Sequence, residues 1–285
     1  MVWMFVSPML LHKFSPPFDE LPFDENEYIS ELKIDGIRLL LAKWDNVIKL
    51  YTRHGNEITG KFPELLNIVI PNGTILDGEV VVPGPGGKPD FEETMSRFQA
   101  GRNGIQPIQY CVFDIIYLED KRITHLPLLK RKELLKSLIK PSQYIAPVEW
   151  TTGNAEAYFN LTKEHGLEGI VIKKADSLYK IKNRSHNWLK VINYSFADVY
   201  ITGLRKNEFG LLLSLEEGNK MRPVGLMEFM VPAARKKFYQ EYRNYVVDEN
   251  KDFIFLEPKI KAKVKYRNLT KENKLRIPSF VEFIS

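Results

Sequence analysis

The sequence predicts an α+β protein in two parts: a larger one of antiparallel sheets with flanking helices, and a smaller one of strands that suits a small β-barrel. Three observations carry that expectation. Residues 27 to 82 hold short apolar runs separated by the turn signals Asp45-Asn46, His54-Gly55-Asn56 and Pro71-Asn72-Gly73, the pattern of neighbouring antiparallel strands. Helix signals follow singly, at Asp90, Leu128 and Asn154. Composition then shifts near residues 194 to 198, which places the parts at residues 1–195 and 196–285.

In chain order, Tyr28-Ile29 begins a strand and Leu39 to Ala42 belongs to another. Between them Asp35-Gly36, flanked by hydrophobics, reads as a hairpin turn. Asp90 with Glu93 three residues on is an N-cap signature for a helix through about Gln99. Residues 109 to 118 form a strand. Leu128 to Lys140 reads as a basic amphipathic helix stopped by Pro141. Asn154 caps a third helix and Gly166 ends it. Beyond a linker at Tyr194-Ser195-Phe196 come strands over Val199 to Leu204 and Leu211 to Leu215, a helix opened by Pro232, and a final strand group.

That last group contains an alternating segment, Pro258 to Arg267. Strand periodicity puts Lys259, Lys261, Lys263, Lys265 and Arg267 on one face and the apolar residues on the other. The cations would form a ridge roughly 27 Å long, which could span several phosphates of a duplex. The alternative is an edge strand that lysines protect from aggregation.

With 44% hydrophobic and 27% charged residues in 285, the chain has ordinary globular composition and room for one large or two medium cores. A net charge of +5 permits an anionic partner without requiring one. The single cysteine, Cys111, leaves no intramolecular disulfide or cysteine-cluster zinc site, and its apolar surroundings predict a buried, inert thiol. The apolar start, Met1 to Leu11, lacks a basic n-region, is interrupted by Pro8 and has no small-residue cleavage site, so it is not read as a signal peptide. No stretch reaches the roughly 18 apolar residues of a membrane span. A cytoplasmic protein is expected. The run Pro83 to Pro89 lacks phosphate-loop spacing and reads as a loop, and the five histidines lack metal-ligand spacing.

Chemistry concentrates in Glu31-Leu32-Lys33-Ile34-Asp35-Gly36-Ile37-Arg38, which sets a lysine and an arginine about a turn. Taken alone, this reads first as an ordinary surface hairpin. Five further segments follow: Thr52-Arg53-His54-Gly55; Leu76-Asp77-Gly78-Glu79; Val112-Phe113-Asp114; Glu168 through Lys173; and Arg184 through Lys190. In order and spacing the six resemble the motifs of covalent nucleotidyltransferases, and the chain resembles the ATP-dependent DNA ligases over nearly its whole length.

The resemblance implies an adenylation domain over residues 1–195 and an oligonucleotide-binding (OB-fold) barrel over 196–285. It implies that Lys33 takes AMP from ATP as a phosphoramide, passes it to the 5′-phosphate of a nick, and that the 3′-hydroxyl then displaces AMP. A lysine amine, with an ordinary pKa near 10.4, attacks only when nearby positive charge makes it neutral. Arg38, Lys173, Lys190 and magnesium (for which manganese can substitute) would supply that charge, with Lys173 and Lys190 on the α-phosphate. Glu79 and Glu168 would hold the metal, with the ribose as an alternative for Glu79. Arg53 would contact the ribose or the DNA 5′-phosphate. Phe113 would stack on adenine with Ile170 on its other face, and Glu31 would read the base edge. Lys259, Lys261, Lys263, Lys265 and Arg267 would contact DNA.

The chain also departs from that family's pattern. Ile192 stands where a second basic residue is usual, so either one phosphate contact is missing or Lys182 supplies it from another direction. The C-terminal motif survives only as Leu275 to Phe280, leaving Arg276 to orient pyrophosphate. Only 32 residues precede Lys33, too few for the DNA-binding domain of large eukaryotic ligases or the nicotinamide-binding domain of NAD-dependent ones. The layout is similar to compact bacterial and phage ligases and to the ligase module of bacterial end-joining enzymes. It implies a monomer acting on nicked duplex DNA, with DNA-end-binding repair proteins as partners, in repair, recombination or replication. RNA ligase, GTP-dependent RNA-capping guanylyltransferase and a catalytically weak DNA-binding module are the competing readings.

Overall fold

A computed structural model describes residues 5–17 and 26–284, so the start of the apolar N-terminal stretch lies outside the described residues. The chain divides into two compact units, the first ending at Asn193 and the second beginning at Tyr194. The first unit opens with β1 (Leu10–Phe14), β2 (Tyr28–Leu32), β3 (Ile37–Trp44), β4 (Val47–Thr52), β5 (Thr74–Pro83) and β6 (Pro89–Asp90). Next come α1 (Phe91–Ala100), β7 (Gln109–Leu118), β8 (Lys121–Arg122), α2 (Leu128–Leu138), β9 (Ile145–Pro147) and β10 (Trp150–Thr152). It closes with α3 (Ala155–Glu164), β11 (Gly169–Lys174) and β12 (Arg184–Ile192).

Seven strands form one sheet along the path β4-β3-β5-β7-β8, with β6 on β5 and β9 on β7. Five form a second, ordered β1-β12-β11-β2-β10. Two pairings, β1 with β12 and β7 with β9, are parallel, a departure from the antiparallel expectation. The run Leu39-Leu40-Leu41-Ala42 is apolar throughout because β3 is covered on both faces. Leu39 and Leu41 join Leu50, Leu76 and Val112 in one core. Leu40 and Ala42 join Ile29, Ile116 and Trp188 in another, which packs the two sheets together. On the outer face of the second sheet, Phe159 of α3 covers Ile170, Ile172, Leu189 and Val191.

The Asp35-Gly36 turn is not a hairpin. β2 pairs with β10 and β11, whereas β3 pairs with β4 and β5. Residues 33–36 cross from one sheet to the other, and the Lys33 N–H donates to the Gly169 carbonyl at 2.9 Å. Gly36 is required by close approach, since a Cβ there would strike the Val80 carbonyl oxygen. The true hairpin is Asp45-Asn46, both at positive φ, between β3 and β4.

The helices start as their residues dictate, with one exception. The Asp90 carboxylate accepts the Glu93 N–H at 2.9 Å, a cap worth about 1 kcal/mol. Asn154 occupies the N-cap position of α3 at φ 52° but makes no side-chain cap bond, so the cap expected there is absent. α2 ends at Leu138, two residues before the expected Lys140.

The second unit comprises β13 (Ser195–Arg205), β14 (Leu211–Glu217), β15 (Lys220–Met227), α4 (Pro232–Glu241), β16 (Val246–Glu249), β17 (Phe253–Tyr266) and β18 (Ser279–Ile284). Its sheet runs β15-β14-β13-β17-β16, with β18 also on β17. Only residues 193 and 194 separate β12 from β13, so no long linker intervenes. Ile260, Ala262 and Val264 of β17 are buried with Val199, Ile201 and Leu213. Lys259, Lys261, Lys263 and Lys265 alternate with them, but β17 ends at Tyr266, which leaves Arg267 off the ridge.

Candidate active site

Both sheets contribute to one cavity in the first unit. Leu11, Glu31, Lys33, Val171, Lys173 and Trp188 line it from the second sheet or its edge, and Arg38, Glu79 and Phe113 from the first. Lys33 stands directly after β2, on backbone fixed by its bond to Gly169. Gly169, at φ 135°, lets the chain pass against the Val191 carbonyl, where a Cβ would collide. The preceding residue, Glu168, accepts the Asn193 N–H at its carbonyl, and its carboxylate lies 2.7 Å from Lys33 Nζ. Two glycines, 36 and 169, thus help bring Lys33 and the Glu168 carboxylate together from distant parts of the chain.

Arg38 and Glu79 are opposite each other on β3 and β5. Arg38 forms a two-pronged contact to Asp77, at 2.9 Å from Nε and 2.6 Å from Nη2. Tyr179 donates its hydroxyl to the same carboxylate at 2.6 Å. Burial works against the Arg38 charge, but Asp77 outweighs it and holds the guanidinium above its ordinary value. Burial also pushes the Glu79 carboxyl up to about 7, against the pull of Lys33 and Arg38, while Glu168 and Asp77 add to the rise.

The Phe113 ring is bracketed by cations, with Arg38 Cζ at 5.1 Å and Lys173 Nζ at 4.7 Å from its centroid. Lys173 is only 2% exposed and also lies 4.2 Å from the Trp188 ring. Its ammonium contacts Glu31 at 2.7 Å, and the other Glu31 oxygen takes Lys132 of α2 at 2.5 Å. Burial lowers Lys173 to about 8, opposed by Glu31 and reinforced by Lys132. Behind Phe113, the buried Asp114 carboxylate takes Arg131 of α2 at 2.8 and 2.9 Å.

Of the residues singled out in the sequence, Glu31, Lys33, Arg38, Glu79, Phe113 and Lys173 line the cavity, and Glu168 joins them through Lys33. Lys190 lies on β12 opposite Val171, two residues from Trp188 and so on its face of the strand. Ile170 is misplaced: it is fully buried on the α3 side, and Val171 lines the cavity instead. Strand alternation forbids Ile170 and Lys173 from sharing a face. Arg53 lies in an exposed turn, with Nε donating to His54 at 3.0 Å, and does not line the cavity. Arg276 belongs to the second unit, where Nη1 donates to Asn268 at 3.3 Å. Sequence reasoning missed Leu11, Trp188 and Lys132. Trp188 was legible, since it precedes Lys190 by two positions. His12 and His186, unremarkable in sequence, stack at 3.6 Å. Among the described residues no three His, Cys, Asp or Glu side chains gather as a metal-binding group.

A lysine fixed beside carboxylates, cations and a stackable aromatic between two sheets, with a β-barrel unit after it, defines a covalent nucleotidyltransferase. The ATP dependent DNA ligase domain family matches residues 8–191, and the chain belongs to that family. It is 53% identical to the SPbeta prophage-derived DNA ligase-like protein LigB of Bacillus subtilis, over 97% of this chain and 98% of that one. It is 25% identical to the multifunctional non-homologous end joining DNA repair protein LigD of Mycobacterium tuberculosis, over 90% of this chain but only 36% of that one. The ligase domain of M. tuberculosis LigD superposes with a TM-score of 0.61 at 23% identity, covering 98% of this chain and 95% of that one. A structure of the Lig E DNA ligases gives 0.65 at 18%, covering 98% and 100%. Among the described residues no helix is long and apolar enough to cross a membrane.

Proposed function

We propose that this chain is an ATP-dependent DNA ligase that seals nicks between a 5′-phosphate and a 3′-hydroxyl, with Lys33 carrying AMP. The observation that supports this reading best is Lys33 Nζ at 2.7 Å from Glu168, on rigid backbone, in a cavity shared with Glu79, Arg38, Lys173 and Phe113. In the first step the neutral Lys33 amine attacks the α-phosphorus of ATP. A P–N bond forms, the bond to the bridging oxygen breaks, pyrophosphate leaves, and the nitrogen gives up one proton to it or to water. The nick's 5′-phosphate oxygen then attacks the same phosphorus and returns Lys33. Finally the 3′-hydroxyl attacks the activated 5′-phosphate and AMP departs. Each step is a phosphoryl-type transfer, so positioning and charge neutralisation supply most of the catalysis.

Arg38 is held by Asp77 where it can face phosphate without swinging, and Lys173 and Lys190 share a sheet face from which to reach it. Phe113 offers the aromatic surface for the base, with Val171 as the aliphatic wall. Magnesium fits the donor set. Glu79 and Glu168 are hard oxygen donors, Glu79 is half-buried with its charge unfavoured, and two carboxylates suit a cation that keeps water and phosphate as its other ligands. When bound, it would offset phosphate charge and favour the neutral amine. We assign the first unit to adenylation and the second, as an OB-fold, to DNA, which Lys259, Lys261, Lys263 and Lys265 would face. Arg276 is the candidate for orienting pyrophosphate.

Incubation with magnesium and ATP, GTP or NAD, followed by intact-mass measurement, tests the reading. ATP should add one AMP to the wild type and none to Lys33→Ala, and the protein should seal nicked DNA. An adduct from GTP alone, or on Lys33→Ala, would overturn it.

A further inference from the structure

The cavity is a partly open cleft in which side chains already cover the Phe113 ring. A base that stacks on that ring has to displace one of them. Lys173 Nζ stands 4.7 Å from the Phe113 centroid, so a base stacking on that ring and this ammonium compete for one surface. A move of Lys173 toward phosphate resolves the competition, but it takes from Glu31 the cation at 2.7 Å. Glu31 is 2% exposed, and a carboxylate buried that deeply is strongly disfavoured without a partner.

A second cation is already in place. Lys132 Nζ lies 2.5 Å from the other Glu31 oxygen, is 3% exposed and does not line the cavity. Its other neighbour is the Val148 carbonyl at 3.4 Å. Set into the inner side of α2, it cannot follow the nucleotide. We propose that Lys132 is a positioning residue, holding the Glu31 carboxylate in place while Lys173 is drawn to the nucleotide. The inference rests on the nucleotidyl-transfer reading above and adds a residue to it.

The groups about Glu31 determine how its loss would read out. Lys173 faces it from β11, Lys132 from α2 and the Tyr158 phenol from α3, while Asp114 acts on Lys173 from β7. Without Lys132, Glu31 is left buried with no cation whenever Lys173 leaves, so adenylation must slow. The experiment is single-turnover adenylation of the whole chain with ATP and magnesium, read by intact mass. Lys132→Met should be about tenfold slower than wild type, and Lys132→Arg within threefold of it. In a Glu31→Gln background, Lys132→Met should cause no further slowing, because the two act as a unit. That arm and Lys132→Arg keep the test sharp if Lys132→Met alone folds poorly. A wild-type rate for Lys132→Met, or a deficit that arginine does not rescue and that persists in the Glu31→Gln background, would overturn the inference. A wild type that forms no adduct would instead overturn the functional reading beneath it.

Discussion

At the scale of single residues, the site sets buried charges against one another, and Lys173 shows the consequence for stability. Its folded pKa, about 8, lies below the ordinary lysine value near 10.4. Between those values the unfolded chain holds a proton that the folded protein has lost, so stability rises with pH across that window and is flat below it. The gain is at most about 3 kcal/mol. Urea unfolding at pH 7.5 and 9.5 should show the gain in the wild type and not in Lys173→Met, and parallel pH curves for the two would refute it. That Lys33, Glu79, Glu168 and Lys173 gather at one cavity was legible because each sits in a short motif of the resemblance. Ile170 was misread although the remedy was in the sequence: once Lys173 faces the site, period two assigns Val171 with it. Lys132 was hidden by its own charge, since a lysine on a helix is ordinarily taken as solvated.

Elements tell the same story. α2 reads as a basic helix with its cations in water, but its buried positions are Leu128, Arg131, Lys132 and Leu135. Their spacing is that of a core-facing stripe, and two of its four members are cations because β7 and β2 present Asp114 and Glu31 to them. Those pairings come from sheet positions distant in the chain, which no local pattern encodes. Asp114→Asn should therefore cost about 3–5 kcal/mol by leaving Arg131 buried and undercompensated. Asp90→Ala, which removes only a cap from α1, should cost about 1 kcal/mol. Denaturant midpoints of the two variants would check the ranking, and equal losses would show that α2 is not anchored through Asp114. The misread Asp35-Gly36 turn has a related origin. Turn residues specify a change of direction, whereas the partner of each strand is decided by which sheet buries it.

Over the whole molecule, the net charge of +5 says less than where the charges stand. The alternation along β17 was legible, because lysines at odd positions and core residues at even ones leave a strand no other way to lie. What its neighbours contribute was not. Lys263 meets Glu282 of β18 at 3.4 Å and stands opposite Asp198 of β13, and Lys259 meets Glu257 at 3.4 Å. Lys261 lies instead against the ring of Tyr200 at 5.6 Å, and Lys265 also touches a ring, that of Tyr194 at 5.1 Å. Aromatic contact leaves a cation's charge intact, whereas a carboxylate partner cancels it at long range. The ridge thus offers DNA fewer net charges than its lysines number, and its salt dependence should reveal which ones count. Each phosphate neutralised contributes about 0.9 to the slope of log affinity against log salt. Lys261→Gln should lower the slope for a nicked duplex by about 1, Lys263→Gln by less, and Glu282→Gln should steepen it by releasing Lys263. Fluorescence titration between 50 and 200 mM salt measures all three, and slopes identical to wild type in every variant would remove β17 from the DNA-binding surface.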